Sequence, residues 1–211
     1  MGGVMSSVTI SGDTSGSIIL QAPSVAGSTT LTLPTTSGTV LTNASSVASS
    51  QLPAGSVLQV VQTVKTDTYS TNSTTFQDVP GLSVSITPLS STSRVLIFAN
   101  VYTGTASVGQ GVQTQVRRGN TNLIASSSPG NRTPSIGQQE AGGLSFAQYW
   151  GMQATWIFQD SPATTSLTTY KIVIRTNTGA GNVYVNRNDY SIDQAESGIG
   201  TSQLIVMEIK G

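Results

Sequence analysis

Hydrophobic and polar residues alternate most clearly in the part of the chain that begins near residue 56. In 82–86 the apolar residues alternate with serines, and 168–176 shows the same period of two. Such alternation is typical of β-strands that have one face on a core and the other in solvent. The unbroken apolar run 95–98 is typical of a strand buried in the core.

Turn-forming residues separate these runs, which together predict about nine or ten strands. The predicted strands are 56–65, 76–79, 82–87, 94–102, 112–118, 123–124, 146–159, 168–176, 183–185 and 203–209. Pro80-Gly81 is expected to end the second of them, and 126–143, rich in Ser, Gly, Pro and Gln, is expected to be a long loop. This spacing favours an all-β fold, a β-sandwich or jelly roll.

Residues 1–50 have a different character, with one charged residue, Asp13, and no aromatic residue. Short β-favouring runs recur at 7–10, 18–21, 31–33 and 39–41. Such short strands need neighbours, which identical chains can supply. We therefore predict an N-terminal β arm or shaft at 1–50, a linker at 51–55 and a sandwich at 56–211. A flexible Ser- and Gly-rich tail is the alternative for the first region.

The low charge content argues against a nucleic-acid partner, and the short apolar runs argue against a membrane partner. Of 211 residues only 9% are charged, and nine basic and nine acidic residues give zero net charge. Nucleic-acid binding needs a basic patch, and Arg117 and Arg118 are the only adjacent bases. No apolar run approaches the roughly 18–20 residues of a membrane-spanning helix. We expect neither a nucleic-acid nor a membrane partner.

The chain contains no His and no Cys. The usual general base, the commonest metal ligand and the thiolate nucleophile are therefore missing. Ser–Lys catalysis would have to use Lys65, Lys171 or Lys210, and none of these has the setting of an active site. We predict a protein that is not an enzyme and has no catalytic residue, cofactor or metal.

Carboxylates are the remaining candidates for chemistry. A pair of them could hydrolyse glycans, but Asp78 and Asp160 are expected to be turn residues and Glu208 a structural partner for an Arg. The group Asp189, Asp193 and Glu196 could bind Ca²⁺ through oxygen ligands. Its spacing does not fit an EF-hand, and a solvated loop is the favoured interpretation.

The predicted strand 146–159 is rich in aromatic residues, and four of them are candidates for a site: Tyr149, Trp150, Trp156 and Phe158. Exposed rings of this kind could stack on the sugars of a host surface glycan. The commoner role is packing in a core or around a trimer axis, because each ring buries about 150–250 Å². Packing is the favoured interpretation.

Two groups of motifs resemble modules of bacteriophage virion proteins. The first comprises 18–23, 26–27, 31–34 and 38–41. The second comprises 76–82, 85–88, 93–97, 160–165, 169–170, 183–186 and 207–209. The second resembles knob domains of tailed phages, which are trimeric jelly rolls of the tumour-necrosis-factor type.

The resemblance implies a homotrimeric structural protein on the outside of the virion. The favoured role is capsid decoration, in which the trimer cements the major capsid protein. The alternative is a short tail fibre that binds a host receptor and contacts tail components. A depolymerising spike enzyme is a third possibility of a different class.

Overall fold

The structure is a computed structural model, which describes residues 7–11, 13–21, 30, 35, 47–106, 109–123, 130–140, 151–190 and 198–211. Among these residues the regular secondary structure consists of β-strands and one short 3-10 turn, Ser49–Gln51. The predicted all-β fold class is therefore confirmed. The chain divides into two compact units, Met1–Ser46 and Val47–Gly211.

In the first unit, strands β1 (Ser7–Ser11) and β2 (Ser17–Gln21) form an antiparallel hairpin. Gly16 takes a φ of +79°, which glycine adopts without strain, just before β2 begins. The predicted strands 31–33 and 39–41 lie outside the described residues. Val8, Ile10 and Ile19 are more than half exposed, so these three side chains leave most of their apolar surface uncovered.

The second unit contains eleven strands among its described residues: β3 (Val57–Lys65), β4 (Tyr69–Thr71), β5 (Gln77–Ile86), β6 (Arg94–Thr105), β7 (Gly111–Arg118), β8 (Thr121–Asn122), β9 (Gly137–Glu140), β10 (Gly151–Asp160), β11 (Thr168–Thr176), β12 (Val183–Val185) and β13 (Ser202–Ile209). They form two antiparallel sheets, an arrangement compatible with a β-sandwich.

One sheet has the order β3-β13-β6-β10 along its main body. Beyond the end of β13, the short strands β12 and β4 continue the sheet beside β6. The other sheet has the order β5-β11-β7, with β8 and β9 pairing with successive parts of β7.

The alternation of the sequence explains how the core forms. In β13 the side chains of Leu204, Val206 and Glu208 are buried, whereas the residues between them are partly exposed. The inward residues of β6, from Val95 to Val101, are also fully buried. Because alternate residues of a strand face opposite sides, both strands contribute one face to the core.

Strand β5 continues through Pro80-Gly81, so the expectation that these residues end a strand is wrong. The pairing of β5 with β11 shifts register at this point, between Lys171 and Val173. Proline has no N–H for the ladder and is tolerated at a bulge. Gly81 has a φ of +80°, which accommodates the bulge and lets both Val79 and Leu82 face the core.

Two further expectations need correction, and one strand was not predicted. Residues 137–140, expected within a long loop, form β9 against β7, and 69–71, for which no strand was expected, form β4. The strand expected at 123–124 occurs instead at Thr121–Asn122, and residue 124 lies outside the described part. Strands β8 and β9 pair with the longer strand β7, and β4 pairs with the three-residue strand β12, so backbone pairing outweighs a polar or very short local sequence.

Candidate functional site

The centre of the outer face of the β3-β13-β6-β10 sheet carries apolar and neutral polar side chains. We call this surface the neutral face. Its members are Val60, Gln62 and Val64 of β3, Leu96, Phe98, Asn100 and Tyr102 of β6, Gln153, Thr155, Ile157 and Gln159 of β10, and Gln203, Ile205 and Met207 of β13. None of these residues is charged, and Arg94 lies at the margin where β6 begins.

Cross-strand pairing arranges the neutral face in rows. One row runs Val60, Met207, Leu96, Gln159, and the next runs Gln62, Ile205, Phe98, Ile157. Val60 and Ile157 are 53% and 60% exposed, and the four apolar residues between them are half-buried. Residues directly opposite on neighbouring strands have side chains in contact range, so these six apolar residues form a continuous patch.

Three neutral polar residues, Gln203, Asn100 and Thr155, border this patch, and Val64 lies at the β3 end of their row. The amide of Asn100 donates to Thr155 Oγ1 at 2.7 Å and accepts a hydrogen bond from the amide of Gln153. An apolar centre depleted of charge, with a polar border, is the composition of a protein–protein interface core.

Tyr102 closes one end of the neutral face. Its ring lies over Gly151 and Gly200, and a Cβ atom at either glycine would collide with it. Burial raises the pKa of Tyr102 above its usual value. The two glycines therefore let a large ring lie flat against the sheet.

The structure describes two of the four predicted aromatic residues. Trp156 and Phe158 face inward from β10 and pack against the hydrophobic core, with Trp156 also lying against Gly137. Tyr149 and Trp150 lie outside the described residues. The exposed large apolar residues of β10 are Met152 and Ile157, and the sequence pattern predicted no role for either.

A signal for the neutral face is present in the sequence. Runs 95–98 and 204–207 are apolar without interruption. A strand of an antiparallel sheet with one solvated face normally alternates. Uninterrupted runs in β6 and β13 therefore indicate apolar residues on both faces, of which only one meets the core.

Asp160 joins three parts of the sandwich, and the expectation that it is a turn residue is wrong. It ends β10 and accepts hydrogen bonds from Arg118 at 2.8 and 3.0 Å and from the hydroxyl of Tyr170 at 2.8 Å. Tyr170 is fully buried. Burial, followed by the hydrogen bond to Asp160 and its charge, raises the pKa of Tyr170 well above its usual value.

The raised pKa predicts a loss of stability at alkaline pH. Above the unfolded pKa of 10.0 the unfolded chain loses the Tyr170 proton while the folded chain keeps it, so unfolding becomes more favourable. We expect a constant unfolding free energy between about pH 7 and 9, falling above pH 10 by up to about 1.4 kcal/mol per unit. Urea unfolding at a series of pH values across this range measures the change in the unfolding free energy.

Tyr170→Phe is the matched variant for this measurement. It should be less stable at neutral pH, because the hydrogen bond to Asp160 is lost, and should show a shallower decline above pH 10. Burial also raises the pKa values of Tyr102 and Tyr184, so some decline should remain. Equal slopes for the two proteins would show that Tyr170 is not the group responsible.

The expectations for two other carboxylates are also wrong. Asp78 lies within β5 rather than in a turn, and pairs with Lys171 at 2.8 Å. Glu208 is fully buried and accepts hydrogen bonds from the Gln59 amide at 2.5 Å and the Leu89 backbone N–H at 2.7 Å, so its partners include no Arg.

The group considered for Ca²⁺ is only partly described. Asp189 accepts a hydrogen bond from the hydroxyl of Tyr184, whereas Asp193 and Glu196 lie outside the described residues. Within the described ranges, no group of three or more potential ligands could hold a metal ion.

The three lysines have structural contacts. Lys65 is 2% exposed and pairs with Asp67 at 2.8 Å, and this hydrogen bond lowers the pKa of Asp67. Lys171 pairs with Asp78, and Lys210 donates to the backbone carbonyls of Ser50 and Leu52. The last contact holds residues of the predicted 51–55 linker region against the end of β13.

No protein-family model matches the chain, and no curated protein matches it. A search of the described residues found no helix with the length and apolar character needed to cross a membrane.

Proposed function

We propose that this chain is a non-enzymatic, homotrimeric structural protein of the outside of a tailed bacteriophage particle, where it decorates and cements the capsid. The observation that carries the proposal is the neutral face, a continuous apolar patch with an uncharged border. The trimeric state and the virion setting come from the resemblance of the sequence motifs.

The absence of charge at the centre of this face favours association with identical copies. Around a symmetry axis each residue approaches its own equivalents, so a charge near the axis would meet the same charge. Apolar side chains bury surface on association, and Gln and Asn provide both donors and acceptors to identical partners. The neutral face is thus suited to self-association.

The strand order supports a jelly roll for the sandwich. With the short strands β4, β8 and β12 set aside, eight strands follow in chain order: β3, β5, β6, β7, β9, β10, β11 and β13. If these eight strands are numbered 1 to 8 in chain order, the sheet β3-β13-β6-β10 has the order 1-8-3-6. The sheet β5-β11-β7-β9 has the order 2-7-4-5. Jelly rolls pair their eight strands in this way, as two Greek keys.

The N-terminal hairpin is suited to attachment. A two-stranded hairpin by itself is at best marginally stable in water. Val8, Ile10 and Ile19 are 61%, 55% and 58% exposed, leaving apolar side chains for another surface to cover. We assign the arm to contact with neighbouring chains and with the major capsid protein.

The ionisable groups support a non-enzymatic role. Asp67, Asp78 and Asp160 each pair with a cation of the same chain, and Glu208 is held by Gln59 and Leu89. The contacts of Asp78, Asp160 and Glu208 join different parts of the sandwich, whereas the pair of Asp67 with Lys65 is local; these contacts account for the carboxylates as structural groups.

Antibody labelling of purified particles tests this function. A cement protein should be present in high copy number over the whole capsid, and particles stripped of it should rupture at a lower temperature. Labelling confined to the tail, with the purified protein blocking adsorption to host cells, would replace this proposal with the tail-fibre alternative. Cleavage of host glycan by the purified protein would contradict the non-enzymatic role.

A further inference from the structure

Two arginines converge on one aromatic ring on the outer face of the other sheet. The guanidinium carbons of Arg117 and Arg175 lie 5.2 and 5.5 Å from the centre of the Phe76 ring. Arg117 comes from β7 and Arg175 from the adjacent strand β11. Two cations therefore share the electron-rich ring of a single phenylalanine.

Neutral acceptors position both guanidinium groups. Arg175 donates to Gln113 Oε1 at 2.6 Å, to the Thr74 carbonyl at 2.7 Å and to Thr133 Oγ1 at 2.6 Å. Arg117 donates through Nε to Gln115 Oε1 at 2.8 Å. Within the described part of the chain, the two Nη groups of Arg117 have no hydrogen-bond acceptor.

The surrounding charge is positive. Lys171 lies opposite Arg117 on the neighbouring strand. The carboxylate of Asp78 lies 2.8 Å from the Lys171 ammonium. Counting Arg175, three positive charges face one negative charge among these described residues. In a chain of zero net charge, this leaves a local excess of two positive charges.

The geometry points to a binding site for an oxyanion, a carboxylate or phosphate group, held by the free edge of the Arg117 guanidinium above Phe76. A guanidinium presents two parallel N–H groups that match two oxygens of such an anion. An anion there would also offset the repulsion between the two arginines. Gln113 and Gln115 hold the guanidinium groups in position without neutralising them.

The site is compatible with the proposed assembly but does not depend on it. It lies on the β5-β11-β7 sheet, whereas the neutral face belongs to the β3-β13-β6-β10 sheet. Association through the neutral face would leave the oxyanion site exposed, where it could meet acidic groups of a surface polymer.

Thermal unfolding of the full chain in three salts of equal ionic strength tests the site: chloride, inorganic phosphate and galacturonate. We expect phosphate or galacturonate to raise the melting temperature beyond chloride, and the responding salt identifies the type of oxyanion. Arg117→Gln should weaken the apparent affinity about tenfold or more, since a charged hydrogen-bond donor pair is lost. Among the described residues the Arg117 side chain donates one hydrogen bond, to Gln115, so this variant should fold.

Arg94→Gln is the control, because it removes one charge from an exposed position on the other sheet. It should keep the full response to the anion. Two results would overturn the site: equal melting temperatures of the wild-type chain in all three salts, or an equal loss of response in both variants, which would indicate a nonspecific effect of net charge.

Discussion

Replacing Ile205 by Asp is expected to dissociate the protein into monomers. Ile205 lies at the centre of the neutral face, between Gln62 and Phe98 on the neighbouring strands. In the single chain its side chain is half-buried, but in an assembly a carboxylate there would be buried without a cation. An unpaired buried charge costs about 3–5 kcal/mol, so association should weaken by roughly two to four orders of magnitude. Size-exclusion chromatography with light scattering measures the loss.

Two further variants make this result interpretable. Ile157→Asp changes a residue that is 60% exposed in the single chain, so it should fold normally yet also dissociate. Leu167→Asp introduces the same charge at a residue that is 71% exposed and outside the neutral face, and it should remain associated. If Ile205→Asp and Ile157→Asp keep the wild-type mass while folded, the neutral face is not the interface.

Replacing Leu204 by Ala, one residue away, is expected to have a different effect. Leu204 points to the other side of β13 and is fully buried, opposite Ala99 and Thr63. A Leu→Ala change in a packed core costs about 2–5 kcal/mol, through lost burial and the cavity left behind. We expect the midpoint of urea unfolding to fall sharply.

Leu167→Ala is the matched control for this prediction. The same atoms are removed from a residue that is 71% exposed, so stability should change by less than about 0.5 kcal/mol. A similar loss in both variants would mean that Leu204 is not packed in the core. The contrast between positions 204 and 205 also tests the alternation of β13 directly.

Strand positions could be predicted from sequence where burial is periodic. The strands predicted at 168–176 and 183–185 coincide with β11 and β12, because alternating or β-branched residues mark them. The bulge at Pro80-Gly81 could not be distinguished from a strand end, since the same two residues favour both. Strand β9 is polar and depends on its pairing with β7, which no local pattern reveals.

Side-chain partners were harder to predict than strands. Asp160 has the local sequence of a turn, but its role depends on Arg118 and Tyr170, which are distant in sequence. Packing was the favoured interpretation for the aromatic residues of 146–159, and Trp156 and Phe158 face the core. The proposal rests on outward residues such as Phe98 and Ile205. These residues can be assigned to the outer face only when the strand pairing is known.

Sedimentation equilibrium of the wild-type chain over a wide range of dilution measures whether the neutral face joins three chains. One chain has a mass of 21.7 kDa. We expect a species of three chains, about 65 kDa, that persists to low concentration because the neutral faces are buried against one another. A folded species of single-chain mass at every concentration would contradict it.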